Sequence, residues 1–400
     1  MIWKLPLFKK TWQEPYFSDT PVLIESDDWG PGGDFHAIRL NKLLSVLSKH
    51  LDSTNRMAIL TADIVLAVPN IEQINKTQDG SYSRISLECF QEIYSSMQTG
   101  IEQGTFVPQL HGLEHLNGSA FAQLCTQRDP RTEQAQSTPN WWDWETLTSP
   151  LQGHYVNGSN LPTTPISKTE AHQIISSATN IFQQLFKHPS ISTVAPCYLW
   201  NDEIEDEWNK QNIKIIQTAG YRCTGRDSTG KYTQNPSIIR VGDKNEFGQT
   251  YLVRNVMYEP VDGKNTAETA FQEAIAAYNQ AQAITISTHR YNYTRSEEQC
   301  NNSLTGLNDL LSKITQLPNI RFLSSPELGE IIRSPDQIIT NHFNNTQWQS
   351  VKTLTGINKL SAFLYRLYYR HPKLALASYL TGLIIPAWII CKTRSLRTSD

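Results

Sequence analysis

The chain has 400 residues, 35 Lys and Arg against 38 Asp and Glu, a net charge of −3 and six cysteines. That length supports one large domain or two ordinary ones around a sizeable core. The slightly acidic balance and the lack of a basic stripe argue against nucleic acid as a partner. The cysteines are scattered with no CxxC pair, so they read as reduced thiols rather than a disulfide framework.

The N-terminal MIWKLPLFKKTWQEP has no long apolar run and no small-residue cleavage site, so a cytoplasmic domain is expected. PVLIES (21–26) reads as a buried strand. FHAIRLNKLLSVLSKHL (35–51) has helical spacing, with Ile38, Leu43, Leu44, Leu47 and Leu51 on one face. RMAILTADIV (56–65) is a second strand, 85–104 a helix ending near Gly104, and TFVPQLH (105–111) a third strand. An irregular insertion follows over 128–166, with WWDW at 141–144 as either a lid or, preferably, a satellite cluster. Ser167 and Glu170 form a capping-box signature opening a helix to 186. ISTVAPCYLW (191–200) is a strand, NDEIEDEW starts an acidic helix, and TYLVRNVMY (250–258) is a further strand. A helix (266–281), a strand (283–289), a helix (296–315), a short strand (321–325) and a helix (325–333) complete the series.

Strands alternating with helices imply an α/β fold with parallel strands and crossover helices, and about seven units favour a distorted (β/α)7-8 barrel over 1–335. No glycine-rich phosphate loop follows the first strand, which argues against a dinucleotide site. Beyond 335 a linker and amphipathic helix (336–373) lead into LALASYLTGLIIPAWIIC (374–391). These 18 uncharged residues are at the lower limit for a membrane-associated or transmembrane helix. Tyr365, Tyr368 and Tyr369 stand where an interfacial aromatic belt would. Basic residues flank both ends, so charge does not set an orientation. Membrane contact through this helix is expected, holding a cytoplasmic domain at the inner membrane.

The chemistry concentrates at strand ends, where barrel enzymes carry it. FVPQLHGLEHLNG (106–118) places His111 and His115 four apart, with Glu114 before the second. Read literally, HGLEH matches an inverted zinc-protease motif. Gly112, the nearby Asn117-Gly118 and the strand-like lead-in with Pro108 argue against the helix that motif needs. The alternative takes a carboxylate from elsewhere. IESDDWGPGG (24–33) sets Asp27 and Asp28 side by side, a repulsive pair that a cation or a shared proton relieves, or else a solvated turn or helix cap. Two imidazoles and one carboxylate make a three-ligand catalytic metal site with an open position.

The motifs ESDDWG, HGLEHLNG and ISTHR, with YLVRNVMYEP, resemble the polysaccharide deacetylase family of metal-dependent carbohydrate esterases over roughly 20–335. The resemblance implies a barrel of the glycoside hydrolase/deacetylase type holding one divalent ion, most plausibly Zn2+, on Asp28, His111 and His115. Asp27 would be the general base and His289 the general acid. The substrate would be carbohydrate: an N-acetylated amino sugar in a polysaccharide or its lipid-linked precursor. Other readings on the same scaffold are an O-deacetylase, a glycosidase, or an inactive carbohydrate-binding relative. Trp29, Tyr198, Trp200 and Arg290 are candidate substrate contacts, the aromatics by stacking on sugar rings. A backbone N–H near Cys197 or Tyr198 would serve the oxyanion. The family's third motif carries an arginine two residues before a proline. Here Val194 holds that place before Pro196, leaving Arg254 or Arg290 as spatial substitutes. The aspartate expected to partner the acid histidine is not identifiable, Asp143 being the nearest guess.

Overall fold

The computed structural model describes residues 6–77, 79–137, 144, 147, 149–334, 339–340, 347–348 and 351–395; Asp143 lies outside them. Its frame is a parallel sheet of β1 (Thr20–Trp29), β2 (Leu60–Ile64), β3 (Phe106–Leu110), β4 (Ser192–Val194), β5 (Ile215–Thr218), β6 (Thr250–Val253), β7 (Val256–Met257), β8 (Ile284–His289) and β9 (Ile320–Phe322). The spatial order runs β6-β5-β4-β3-β2-β1-β8-β7, with β9 beside the start of β1. β6 and β7 are two halves of one stretch of chain. β6 pairs β5 and β7 pairs β8, so the sheet curls until residues 250–257 join both edges. This is the α/β barrel the alternation implied, with a kinked closing stave.

Asn255 bridges the kink. Its side-chain N–H2 donates to the Ala283 carbonyl at 2.8 Å and its Oδ1 accepts from the Thr285 N–H at 2.9 Å. A side-chain amide therefore supplies the donor and acceptor that a continuous strand would present to β8. Crossover helices cover the outside, 34–47, 91–103, 168–186, 267–279 and 297–314 among them. Leu43, Leu44 and Leu47, with Ile175, Phe182, Leu307 and Leu311 of the other helices, form the main core against the strands, whereas Ile38 and Leu51, expected on the same face, are exposed. Inside the ring the layers differ. Leu23, Ile215, Leu252 and Leu323 fill the end where the strands begin, sealed by Leu328 and Ile331 of the helix 325–333. Above them the interior is polar and still buried: Glu25, Asp63, Gln109, Ser192 and Gln217.

Several elements depart from the sequence reading. ISTVAPCYLW is a strand only over Ser192–Val194, and TYLVRNVMY splits into β6 and β7 at the kink. β5 is a stave that the pattern leaves unmarked, because its apolar run is only two isoleucines before Gln217. The expected single apolar helix over 374–391 is not formed. Helices Pro372–Leu380 and Ile384–Ser395 meet at Thr381–Leu383 with a 112° bend, and no single helix among the described residues is long and apolar enough to cross a membrane. Gly382, at φ +74, makes the turn, and Pro386 falls in the first turn of the second helix, where a proline is tolerated.

Asn255→Ala leaves one N–H and one C=O without their partners at the barrel seam. Stability should fall by about 1–3 kcal/mol, seen as a lower urea midpoint at unchanged denaturant slope.

Candidate metal centre

Successive residues of a strand normally point to opposite faces, yet Asp27 and Asp28 both line one cavity of about 260 Å3. A bulge explains this. The pairing of β1 with β2 shifts register between Ser26 and Trp29, and Asp28 adopts φ +68. One residue in left-handed geometry re-aims its side chain without ending the strand. Aspartate tolerates that geometry better than most residues.

His111 follows β3 directly, and its Nδ1 lies 2.9 Å from the Val194 carbonyl. That bond requires the proton on Nδ1, leaving the Nε2 lone pair for the cavity. His115 sits in the turn after it, not one helical turn along. Its Nε2 is 3.2 Å from Asp28 Oδ1, and His111 Nε2 is 3.4 Å from the same oxygen. The three donor atoms lie within 4.8 Å of one another, and all three residues are buried. Ligands on a tetrahedral cation at about 2.0–2.1 Å sit roughly 3.3 Å apart, close to both separations from Asp28, so this donor set suits one ion. Burial, aided by His111, lowers His115 to about 4, which keeps the ring neutral as a ligand must be. Burial alone would raise Asp28, but His115 and His111 hold it well below the usual carboxylate range.

Glu114 belongs elsewhere: it pairs with Arg84 at 2.7 Å, and burial raises it to about 7. With no helix through 111–115, the inverted-protease arrangement is absent.

Asp27 lies in register with His289 of β8. Arg254 grips it with both terminal nitrogens, Nη1 at 2.7 Å and Nη2 at 2.5 Å. Burial pushes Asp27 upward, but this guanidinium outweighs it and holds the carboxyl well below its ordinary range. Of the two arginines the sequence left open, Arg254 therefore occupies the place beside Asp27. His289 meets Asp27 at 3.7 Å through Nε2 and Glu259 at 2.6 Å through Nδ1. Burial opposes its charge, but Glu259, and then Asp27 and Asp28, raise it to about 10. Asn292 in turn donates to the far oxygen of Glu259. Glu259 is the histidine partner the sequence reading missed. Both it and Arg254 lie within the quoted YLVRNVMYEP, where only their spacing from the kink gives them a role.

The proposed substrate contacts divide. Tyr198 lines the cavity and accepts from Arg254 at 3.0 Å, but its backbone N–H is bonded to the Ala195 carbonyl at 2.9 Å and is not free for an oxyanion. Trp29 is fully buried with its N–H on Ser26 at 2.9 Å, and Trp200 is buried with its N–H on Glu205 at 2.8 Å. Neither offers a face to a sugar. Arg290 is buried too, donating to the Pro31 carbonyl and lying 4.0 Å over the Trp144 ring. Trp144, the last residue of WWDW, packs in the satellite cluster with Phe121, Leu147 and Leu151. It also donates from Nε1 to Asp28 Oδ1 at 3.2 Å and stacks near His115.

No family model matches the sequence, and no curated protein matches it. Solved structures similar to it include a family 4 acetyl xylan esterase from Clostridium thermocellum, at 9% identity over 78% of this chain and 91% of that one, with TM-score 0.38. The Bc1960 peptidoglycan N-acetylglucosamine deacetylase gives 14% identity over 79% and 91%, TM-score 0.38. The peptidoglycan deacetylase PdaC from Bacillus subtilis gives 12% over 80% and 94%, TM-score 0.38.

Zinc titration against a competing chelator should find one tight equivalent, lost in Asp28→Asn and in His115→Ala with the far-UV spectrum unchanged. Trp144→Phe keeps the ring and removes the N–H that orients Asp28, so its zinc affinity should fall about 10–100-fold.

Proposed function

We propose that this chain is a metal-dependent hydrolase that removes the N-acetyl group of an amino sugar in a carbohydrate substrate. One observation carries the reading. A carboxylate kept ionised by Arg254 and an imidazolium kept charged by Glu259 face the same cavity as the Asp28, His111 and His115 set. Amide hydrolysis needs that pairing: a base for the attacking water and an acid for the leaving nitrogen.

Zinc is the ion the two imidazoles and one carboxylate suit best, and it would supply Lewis acidity toward the acyl oxygen and acidify the water that so weak a base as Asp27 must deprotonate. Asp27 accepts a proton from water as the water oxygen bonds to the acyl carbon. Arg254 holds both carboxylate oxygens, so the base keeps its aim as its charge changes. His289 then passes its Nε2 proton to the nitrogen as the carbon–nitrogen bond breaks, releasing acetate and a free amine. Glu259 steadies the ring through Nδ1 and fixes which nitrogen faces the substrate.

Two adjacent carboxyls, one of them a metal ligand, do not leave the separated acid pair a glycosidase uses. Arg254 beside Asp27 also removes the missing third-motif arginine as a ground for an inactive relative. The domain is proposed to work at the cytoplasmic face of a membrane, with the C-terminal helices as its contact.

Acetate release from N-acetylglucosamine oligomers, with no new reducing ends, should appear with metal and vanish on chelation. Asp27→Asn and His289→Ala should each lower kcat by ~10²–10⁴. Activity requires neutral ligand imidazoles and a protonated His289. It should therefore be lost at acid pH, where protons compete for the ligands, and again as pH rises through about 10. Glu259→Gln removes the largest influence raising His289, so the alkaline limb should move down toward the ordinary imidazole value near 6.5, leaving the acid limb in place. Reducing sugar released without acetate would overturn the reading.

A further inference from the structure

The bulky apolar side chains exposed elsewhere on the surface are scattered, but between Leu376 and Ile389 they are contiguous. Leu376, Tyr379, Leu380, Leu383, Ile385 and Trp388 are each more than half exposed, with Leu380 at 75%. They recur at i, i+3 and i+4 along one face of each of the two short helices 372–380 and 384–395, while Ser378 and Ala387 on the opposite faces are buried. A contiguous exposed apolar face of this kind marks a contact with protein or lipid.

Charge points to the occupant. From 337 to 399 the sequence has eight Lys and Arg and no Asp or Glu, in a chain whose net charge is −3. Lys373 precedes the apolar pair, and Lys392, Arg394 and Arg397 follow it. A second copy could pair this face only with itself, bringing two sets of like charges together, whereas an anionic leaflet offers hydrocarbon beneath a negative surface.

Geometry sets the depth. At about 1.5 Å per residue, the apolar arms Pro372–Leu380 and Ile384–Ile390 reach roughly 10–14 Å, less than half of a ~30 Å hydrocarbon core. The 112° bend turns the second arm away from the line of the first, so the pair does not run straight across the hydrocarbon. Three of the turn's backbone donors are paired: Thr381 N–H to Ala377, Gly382 N–H to Tyr379 and Ile385 N–H to Gly382. Each such pair lowers the cost of placing the turn in hydrocarbon. A cavity of about 400 Å3 lined by Leu364, Leu367, Leu374 and Ala377 continues the apolar face inward, with room for an acyl tail.

We infer that residues 372–395 form a re-entrant wedge that docks the domain on one leaflet of an anionic membrane, its tip at Thr381–Leu383 in the hydrocarbon and its basic flanks among the headgroups. The wedge deepens the membrane placement proposed above and stands independently of the chemistry in the pocket. The helix 356–370 that carries it is anchored at the strand-start end of the barrel. There Arg366 is buried against Glu14 at 3.0 Å and the Gln280 carbonyl at 2.8 Å. The catalytic mouth opens at the other end, away from the lipid.

The test is flotation of the full chain with vesicles of phosphatidylcholine alone or of equal parts phosphatidylcholine and phosphatidylglycerol. The protein should float with the anionic vesicles and release from them as salt rises. Lys373→Gln and Lys392→Gln should each lower partition about fivefold. Leu380→Glu with Leu383→Glu should abolish flotation while acetate release from a soluble oligomer is unchanged. Flotation without acetate release would sink the enzyme reading and leave the wedge intact. Three results would overturn the wedge: no flotation with anionic vesicles, a lipid-free dimer lost in the double leucine variant, or a C-terminal tag shielded from external protease after binding to preformed vesicles.

Discussion

Closure of the barrel and the hold on Asp27 meet in one guanidinium. Arg254 ends β6 at the kink, where its backbone N–H bonds the Thr218 carbonyl and Asn255 takes up β8. Its side chain turns into the ring and bonds Glu25 at 2.7 Å, both oxygens of Asp27, and Asp63 at 3.2 Å. Three buried carboxyls around one cation repel one another. Asp63 takes the strain: burial first, then Asp27, push it well above the usual carboxylate range. Removing the arginine would leave buried charge uncompensated, the situation that makes broken interior ion pairs so destabilising. Lysine could not replace it, because a single ammonium cannot span Glu25, both Asp27 oxygens and Asp63 with the angles a planar fork provides.

The same economy of placement explains the two aspartates. In a regular strand one of an adjacent pair faces the ring and the other the helices. The bulge at Asp28 puts both at the mouth, and two opposite electrostatic settings then separate their roles. Asp27 answers to a guanidinium and to His289, while Asp28 answers to two imidazoles and the Trp144 N–H. Trp144 reaches there from an insertion rather than from a stave. Behind it Arg290 is buried against the indole, so the insertion is braced by the residue that follows His289.

Much of this was legible in the sequence, for physical reasons that also mark where legibility ends. Strands and helices with long periodic runs declared themselves, and the polar residues just past the apolar runs at 27–28, 111–115 and 289 converge as strand-end residues do. β5 was not legible because two isoleucines between polar residues fit a strand or a loop equally well. Trp29 and Trp200 were misplaced because an aromatic beside a motif looks the same in sequence whether its ring faces the mouth or the helices. Arg254 and Glu259 carry no motif of their own. Their roles depend on a kink in β6 that turns one inward and lets the other reach His289 across a neighbouring strand. The apolar C-terminal run is uncharged enough for a span, but composition does not register that Thr381 and Gly382 make a turn.

The two ends of the ring follow from the direction of its strands. All staves run the same way, so one rim gathers the residues that follow each strand and the other the residues that precede it. The trailing rim holds every titratable group of the cavity. The leading rim is sealed with leucine and isoleucine, and beside it Pro15, Gln280 and Ala281 offer carbonyls to Arg366. Burial lowers Arg366 only to about 10, so it remains charged at neutral pH and ties the basic tail to Glu14 of an otherwise acidic domain. A parallel barrel thereby sets Arg366 and Arg370, both bound to Glu14 ahead of β1, at the opposite end of the strand from Asp27 and Asp28.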